Sequence, residues 1–244
     1  MMRARFVLVA ALTVAGLVLA LSPEPAPREP FCCTFSICAY DPEKQEWGVA
    51  VASKYLAVGA VVPHAQVEAG AVATQSFVNV KLGPDGLKLL AQGKNAQETI
   101  DALLATDAGK DQRQLGVVDK VGRVAHFTGK GCIPWAGAKA GQHFTCQGNL
   151  LAGPQVVDEM ARAFAATQGP LAWRLMAALD AGDKAGGDKR GKQSAALLVV
   201  RHRGGPLGMS DRYLDFRVDD HQDPIPELAR ILSLRLRRPQ PMKP

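Results

Sequence analysis

Thr34-Phe35-Ser36-Ile37-Cys38-Ala39-Tyr40-Asp41 sets Phe35, Ile37 and Ala39 in alternation with Thr34, Ser36 and Cys38. A period of two marks a strand with two distinct faces. The turn formers Asp41-Pro42-Glu43-Lys44 come next, and the apolar pattern returns at 47–52. Together they predict a hairpin with Thr34 at its open end.

Upstream of that strand, Met1-Met2-Arg3-Ala4-Arg5 is basic, 6–21 is an apolar run, and Val18-Leu19-Ala20 offers small residues before a cut. These are the three parts of a secretory signal, assigned to residues 1–20, and the run is short for a membrane span of about 20 residues. Residues 21–33, with Pro23, Pro25, Pro27 and Pro30, read as a proline-rich linker or pro-segment. A periplasmic or secreted protein is expected, touching a membrane only if the leader is retained. A cut after Ala20 leaves Thr34 inside the pro-segment, so a second cleavage is needed to make it N-terminal. The chemical interest of that event is that a free N-terminal threonine carries its own base. Its α-amine, with a pKa near ~8, accepts the hydroxyl proton at neutral pH. Cys32 and Cys33 lack the small aliphatic residues expected before a lipidated cysteine.

Downstream of Thr34 roughly 210 residues remain, enough for one sizeable domain, and 47% of the chain is hydrophobic. The formal net charge of +6 is dispersed except near the end, where residues 237–244 form a basic tail behind a domain spanning 34–236. Nucleic-acid binding is not expected of an exported chain with only 6% aromatic residues. Five cysteines are an odd number for an oxidising compartment. A local Cys132–Cys146 bridge is one option, and Cys38 reads as a small core residue.

Residues 58–67 and 69–75, rich in Val, Ala and Gly, predict further strands buried on both faces. The pattern then changes period. Residues 84–90 and 96–104 space their leucines and isoleucine as helices do, and Asn95 with Glu98 forms a capping box. Residues 115–119 and 123–127 predict a hairpin around Gly122. Helices follow at 154–167 and 171–181, the first opening on Pro154. Strands at 193–201 and 213–219 precede a last helix over 224–236, capped by Asp223. Strands, paired helices and strands again predict an α+β fold, specifically a four-layer αββα sandwich. The hairpin connections and the lack of a glycine-rich βα turn disfavour a doubly wound parallel sheet.

Six segments in order carry a resemblance: Thr34-Phe35-Ser36-Ile37, Gly48-Val49-Ala50-Val51-Ala52-Ser53-Lys54, Gly70-Ala71-Val72-Ala73-Thr74-Gln75, Gln147-Gly148-Asn149, 187–195 and Arg217-Val218-Asp219-Asp220-His221. They resemble an uncharacterised bacterial domain-of-unknown-function family grouped with the N-terminal-nucleophile (Ntn) hydrolases, and the match runs from Thr34 to about residue 232. The resemblance implies an Ntn-hydrolase-like sandwich and hydrolysis of an amide bond. In such enzymes the first residue of the mature chain attacks the carbonyl, its amine relays the proton and backbone N–H groups hold the oxyanion. Thr34 is the expected nucleophile, with Ser36 and Cys33 as weaker alternatives. This chain departs from self-processing relatives in having no small residue before Thr34 and no lysine in the third strand, where His64 lies nearby. Ala138 stands where a histidine is expected.

Supporting groups follow from position. Ser53 and Lys54 end the hairpin partner strand, where a cation would lower the amine pKa. Thr74, Gln75 and Asn79 close another strand and offer oxyanion or substrate hydrogen bonds. In the glycine-rich segment 186–192, Asp188 is a candidate to orient the amine and Arg190 to receive a carboxylate. Asp215, Arg217, Asp219 and His221 share one strand face. Asp219 and His221 have no further metal ligands, so neither metal nor cofactor is expected. His64 and His143 read as structural. The leading expectation is an exported amidohydrolase, homo-oligomeric, acting on a small-molecule or peptide-like amide. The competing one is a non-catalytic periplasmic binding or surface-assembly protein.

Overall fold

The computed structural model describes residues 31–32 and 34–238. The predicted leader, most of the linker, Cys33 and residues 239–244 of the tail lie outside the described residues. Within them the chain is a mixed α+β fold of two antiparallel sheets and five α-helices.

The opening hairpin forms as the alternation predicts. Strands β2 (Thr34–Asp41) and β3 (Glu46–Ser53) pair in a register that sets Thr34 opposite Ser53 and Asp41 opposite Glu46. The preceding piece, β1 (Phe31–Cys32), does not continue this pairing. It crosses to the other sheet and lies against the end of β5 (Gly70–Phe77), Cys32 opposite Ser76. Strand β4 (Pro63–Gln66) occupies the same edge of β5 further along, opposite residues 70–73. Strands β6 (Arg113–Asp119) and β7 (Val124–Thr128) complete this five-stranded sheet. The six-stranded sheet runs β11 (Arg212–Val218), β10 (Ser194–Val200), β3, β2, β9 (Phe144–Gly148), β8 (Gly137–Gly141).

Three apolar cores hold these elements. Phe35, Ile37 and Ala39 of β2 bury one face of the six-stranded sheet against α3 (Gln155–Ala166), α4 (Leu171–Lys184) and α5 (Pro224–Arg235), meeting Met160, Phe164, Leu175 and Leu228. On the five-stranded sheet, Val72, Leu115 and Val117 pack with Leu90 of α1 (Leu82–Ala91) and Ile100 and Leu103 of α2 (Ala96–Ala105). The third core joins the two sheets, with Cys38, Val49 and Val51 against Ala71, Ala73 and Val118. Each fully buried large side chain contributes about 1.5–3 kcal/mol relative to exposure, so these faces hold the elements in register.

Local chemistry explains the helix starts. Asn95 Oδ1 accepts the Glu98 N–H at 2.9 Å, and Glu98 Oε2 accepts the Asn95 N–H at 2.8 Å, the reciprocal box expected from sequence. Pro154 immediately precedes α3, where its missing N–H is harmless.

Several expectations are corrected. Residues 58–62 are not a strand: Ala57 takes a left-handed φ of 53°, and Val58–Ala60 form a 3₁₀ turn. Gly59 lets that turn approach β10, since a Cβ there would meet the Ala196 Cβ at 2.6 Å. β4 is accordingly short and half-buried rather than buried on both faces. Asp223 sits at the start of α5, but its side chain caps nothing there and instead faces Lys192 Nζ at 3.5 Å. Cys132 and Cys146 form no bridge; with Cys38 they are buried free thiols. Cys146 lies in the core beneath the helices, whereas Cys132 donates to the Arg113 carbonyl at the end of the other sheet. Strands β8 and β9 are an addition to the expected set.

Candidate functional site

Thr34 heads β2 at the point where the backbone leaves one sheet for the other, and its side chain is fully buried. The β2–β3 register brings its hydroxyl to Ser53, and Thr34 Oγ1 donates to Ser53 Oγ at 3.2 Å. Its carbonyl accepts the Asn149 N–H at 3.1 Å and Gln75 Nε2 at 3.3 Å. Thr34 is thus held from three sides, by β3, by β5 and by the residue following β9.

Gln75 belongs to a polar cluster that fills the space between the sheets. Ser36 Oγ donates to Gln75 Oε1 at 2.6 Å and receives Gln147 Nε2 at 2.7 Å. Gln75 Nε2 also donates to Gln114 Oε1 at 2.9 Å, an acceptor shared with Asn149 Nδ2 at 2.9 Å. Gln114 Nε2 in turn reaches the Gly148 carbonyl at 2.8 Å, and Thr145 Oγ1 donates to Gln147 Oε1 at 3.2 Å. Ser36, Gln75, Gln114, Thr145, Gln147 and Asn149 are all fully buried. Their cost of desolvation is met by mutual hydrogen bonds, as buried amides require. The exception is Asn149 Oδ1, which is buried without a partner. Gly116 makes room for the cluster, because a Cβ there would sit 2.2 Å from Gln147 Oε1.

The remaining expected site residues divide. Ser53 and Gln75 are brought to Thr34. Asp188 comes to the same end of β3, where its Oδ2 accepts the Lys54 N–H at 3.1 Å, but its carboxylate is otherwise taken up by Arg190. Arg190 gives it a backbone N–H at 2.9 Å, Nε at 3.1 Å and Nη2 at 2.7 Å. The Asp188 side chain is only 1% exposed, so this pair clamps the 186–192 loop to β3. Positive φ angles at Gly186, Gly187 and Gly191 permit that tight path. Lys54 Nζ points away to the Lys192 carbonyl at 3.3 Å, in an exposed position. Thr74 alternates to the opposite face of β5 from Gln75 and donates to the Asn79 carbonyl at 3.3 Å. Asn79 Nδ2 meets Asp107 Oδ2 at 3.4 Å, in a cluster where the Arg113 guanidinium holds the Asp107 carboxyl below its usual value. Thr74, Asn79 and Lys54 Nζ are therefore not assembled around the Thr34 hydroxyl. Ser36, the alternative hydroxyl, is engaged on both sides by glutamines; Cys33 lies outside the described residues.

A cavity of about 80 Å³ adjoins this corner, lined by Phe35, Ser53, Asp188, Gly191 and Lys192. It has room for only about two or three waters and is far below the ~300 Å³ at which ligand pockets begin. Asp215 is occupied by Arg212 at 2.7 Å and Arg217 at 3.1 Å, so the acidic strand face is an ion-pair lattice on β11. Among the described residues no group of three His, Cys, Asp or Glu side chains is placed to hold a metal ion. No helix among them is long and apolar enough to cross a membrane. Gln114, and the roles of Gln147 and Asn149, were missed from sequence. Gln114 lies at the polar start of β6 and Asn149 just past the end of β9, so no local pattern marked them; Gln147, inside β9, was the one set among less polar strand residues.

A family model for a family of unknown function, DUF1028, matches residues 34–228, starting at the threonine that this geometry singles out. The chain belongs to the DUF1028 family. The crystal structure of protein SPO2555 from Silicibacter pomeroyi, described as a DUF1028 protein, is similar to it at 31% identity and a TM-score of 0.76. That alignment covers 83% of this chain and 88% of the other. No curated protein matches the chain. The DUF1028 segment thus contains every residue of the cluster around Thr34 and none of the predicted leader.

Proposed function

We propose that the chain is an exported Ntn-type amidohydrolase with a four-layer αββα architecture, in which Thr34 becomes the N-terminal nucleophile of a processed form. The observation that carries this reading is the placement of Thr34. It is the first residue of the family segment, it heads the central hairpin, and its hydroxyl is oriented by Ser53 at 3.2 Å. The layer order is supported by the three cores, with helices against the outer face of each sheet and apolar side chains between the sheets.

Cleavage before Thr34 converts its amide nitrogen into an amine beside the hydroxyl. That amine takes the Oγ1 proton as the oxygen attacks the carbonyl of a small or peptide-like amide and returns it to the leaving nitrogen as the C–N bond breaks; water, deprotonated by the same amine, then cleaves the Thr34 ester, releasing the acid and restoring the Oγ1 proton. Departure of residues 31–32 also vacates the edge of β5 opposite Ser76 and Phe77. A binding or surface-assembly protein without catalysis is the second reading. It is favoured by the burial of Thr34, whose side chain is fully covered.

The test is the mature N-terminus, read by N-terminal sequencing and intact mass on protein recovered from the producing cell. A chain beginning at Thr34, labelled there by an electrophilic amide mimic, supports the hydrolase. A chain beginning near residue 21 that is never labelled removes the amine mechanism and leaves the binding reading.

A further inference from the structure

The far end of the same hairpin opens on a much larger cavity, of about 510 Å³, within the range of small-molecule pockets. It lies at the Asp41 end of β2, roughly 23 Å from Thr34 at ~3.3 Å per residue. Its walls include Asp41, Glu46, Arg174, Arg201, Tyr213 and Leu236.

Two acid–guanidinium pairs face this space, and they differ in how far they are satisfied. Arg201 Nη1 binds Glu46 Oε1 at 3.0 Å, and its guanidinium lies 3.7 Å from the centre of the Tyr213 ring. That pair is closed. Arg174 Nη1, in contrast, stands 3.8 Å from Asp41 Oδ2, beyond hydrogen-bond reach. The Arg174 Nε is buried with no hydrogen-bond partner, although the guanidinium is pinned 4.4 Å from the Phe164 ring centre. Asp41 is equally fixed, since its Oδ1 accepts the N–H groups of Glu43 at 2.9 Å and Lys44 at 3.2 Å. Two rigidly mounted opposite charges therefore sit side by side at one cavity, each short of its full complement of hydrogen bonds. The Nε is closed off from the cavity, so it is the outer end of the guanidinium, with Nη1 beside Asp41 Oδ2, that a ligand would meet.

We propose that this cavity binds a free α-amino acid with an apolar side chain. An α-amino acid carries its carboxylate and ammonium on one carbon, matching the Arg174 guanidinium and the Asp41 carboxylate in charge and in adjacency. The carboxylate takes the forked donors of Arg174 and the ammonium donates to Asp41 Oδ2. Ala172, Tyr213 and Leu236 supply apolar wall for the side chain. The site is independent of the Thr34 chemistry and needs no processing of the chain.

Isothermal titration of the full chain with L-leucine tests it, with N-acetyl-L-leucine and L-leucinamide as controls that each lack one charge. Saturable binding of L-leucine is expected, with both controls weaker by about tenfold or more, the worth of one charge-assisted hydrogen bond. Asp41→Asn keeps the Oδ1 contacts that fix the turn and is expected to weaken L-leucine by about tenfold. Arg174→Met is expected to abolish binding. Arg174→Lys, checked for folding by circular dichroism, keeps the charge but loses the fork and is expected to weaken it. Thr34→Ala leaves the affinity unchanged. Absence of saturable L-leucine binding, equal affinity for N-acetyl-L-leucine, or unchanged affinity in the folded Arg174→Lys protein overturns the proposal.

Discussion

Replacing Gln75 by leucine probes whether the amide cluster between the sheets holds the Thr34 corner together. Leucine fills much of the same volume, so the loss is dominated by hydrogen bonds rather than by a cavity. Gln114 Oε1 keeps Asn149 Nδ2 at 2.9 Å, and the Thr34 carbonyl keeps the Asn149 N–H at 3.1 Å, so each of these acceptors retains one donor. The Ser36 hydroxyl loses the acceptor at 2.6 Å while remaining fully buried. One orphaned buried donor costs about 1–3 kcal/mol, and the three acceptors that lose Gln75 Nε2 (the Thr34 carbonyl, Gln114 Oε1 and, at 3.4 Å, the Gln147 carbonyl) add less, for a total of about 2–4 kcal/mol. Against a typical domain stability of about 5–15 kcal/mol, Gln75→Leu should remain folded. With a urea m-value near ~2 kcal/mol/M the unfolding midpoint falls by roughly 1–2 M. Trp47 and Trp173, both buried, report the transition by fluorescence. A double-mutant cycle with Ser36→Ala should show coupling of about 1 kcal/mol, because the two residues share one bond. A loss below about 0.5 kcal/mol, or strictly additive effects, would refute the view that the cluster is an energetically connected unit.

Gly116→Ala drives a Cβ to 2.2 Å from Gln147 Oε1 and is expected to cost about 1–3 kcal/mol by displacing that amide, read from the same urea curves. Asn95→Ala removes the arm in which Asn95 Oδ1 accepts the Glu98 N–H, leaving the backbone N–H of residue 95 to the Glu98 carboxylate, and should cost about 1 kcal/mol, with faster amide exchange in the first turn of that helix. Burial pushes the His64 pKa below its ordinary 6.5. As pH falls below 6.5 the unfolded chain takes up a proton that the folded one resists, so His64's contribution to stability declines toward its lowered folded pKa. Urea midpoints at about pH 7.5 and about pH 5.5 should therefore differ less in His64→Gln than in the parent.

The hairpin, the capping box and the helix order were legible because each is a local pattern. The alternation in β2 and the turn residues after Asp41 specify a strand pair without reference to the rest of the chain, and Asn95 and Glu98 complete their bonds within four residues. The corrections fall where local pattern is ambiguous. Residues 58–62 have the composition of a strand, yet Gly59 is used for close approach to β10. Gly137-Ala138-Lys139-Ala140-Gly141 has almost no β propensity, and it forms edge strand β8 only because β9 provides a partner. The Thr34–Ser53 pair was predictable once the hairpin register was known. Asp188, read from sequence as orienting the amine, and Arg190, read as receiving a carboxylate, bind each other.

The polar face of β2 shows most clearly where sequence ends and tertiary structure begins. A period of two establishes that Thr34 and Ser36 share a face opposite Phe35 and Ile37. It does not establish what either face meets. In a strand with one wet side the polar face would be solvated; here both faces are buried, one under α3 and α4 and the other against the second sheet. Sequence alone determined the opening hairpin, the position of Thr34 at its head and the order of the helices. Only the packing of two sheets decided that Ser36, Gln75, Gln114, Gln147 and Asn149, spread over more than a hundred residues of chain, become one hydrogen-bonded cluster. The physical reason is that an amide excluded from water must find its partners in space, and those partners are set by inter-sheet geometry rather than by separation along the chain.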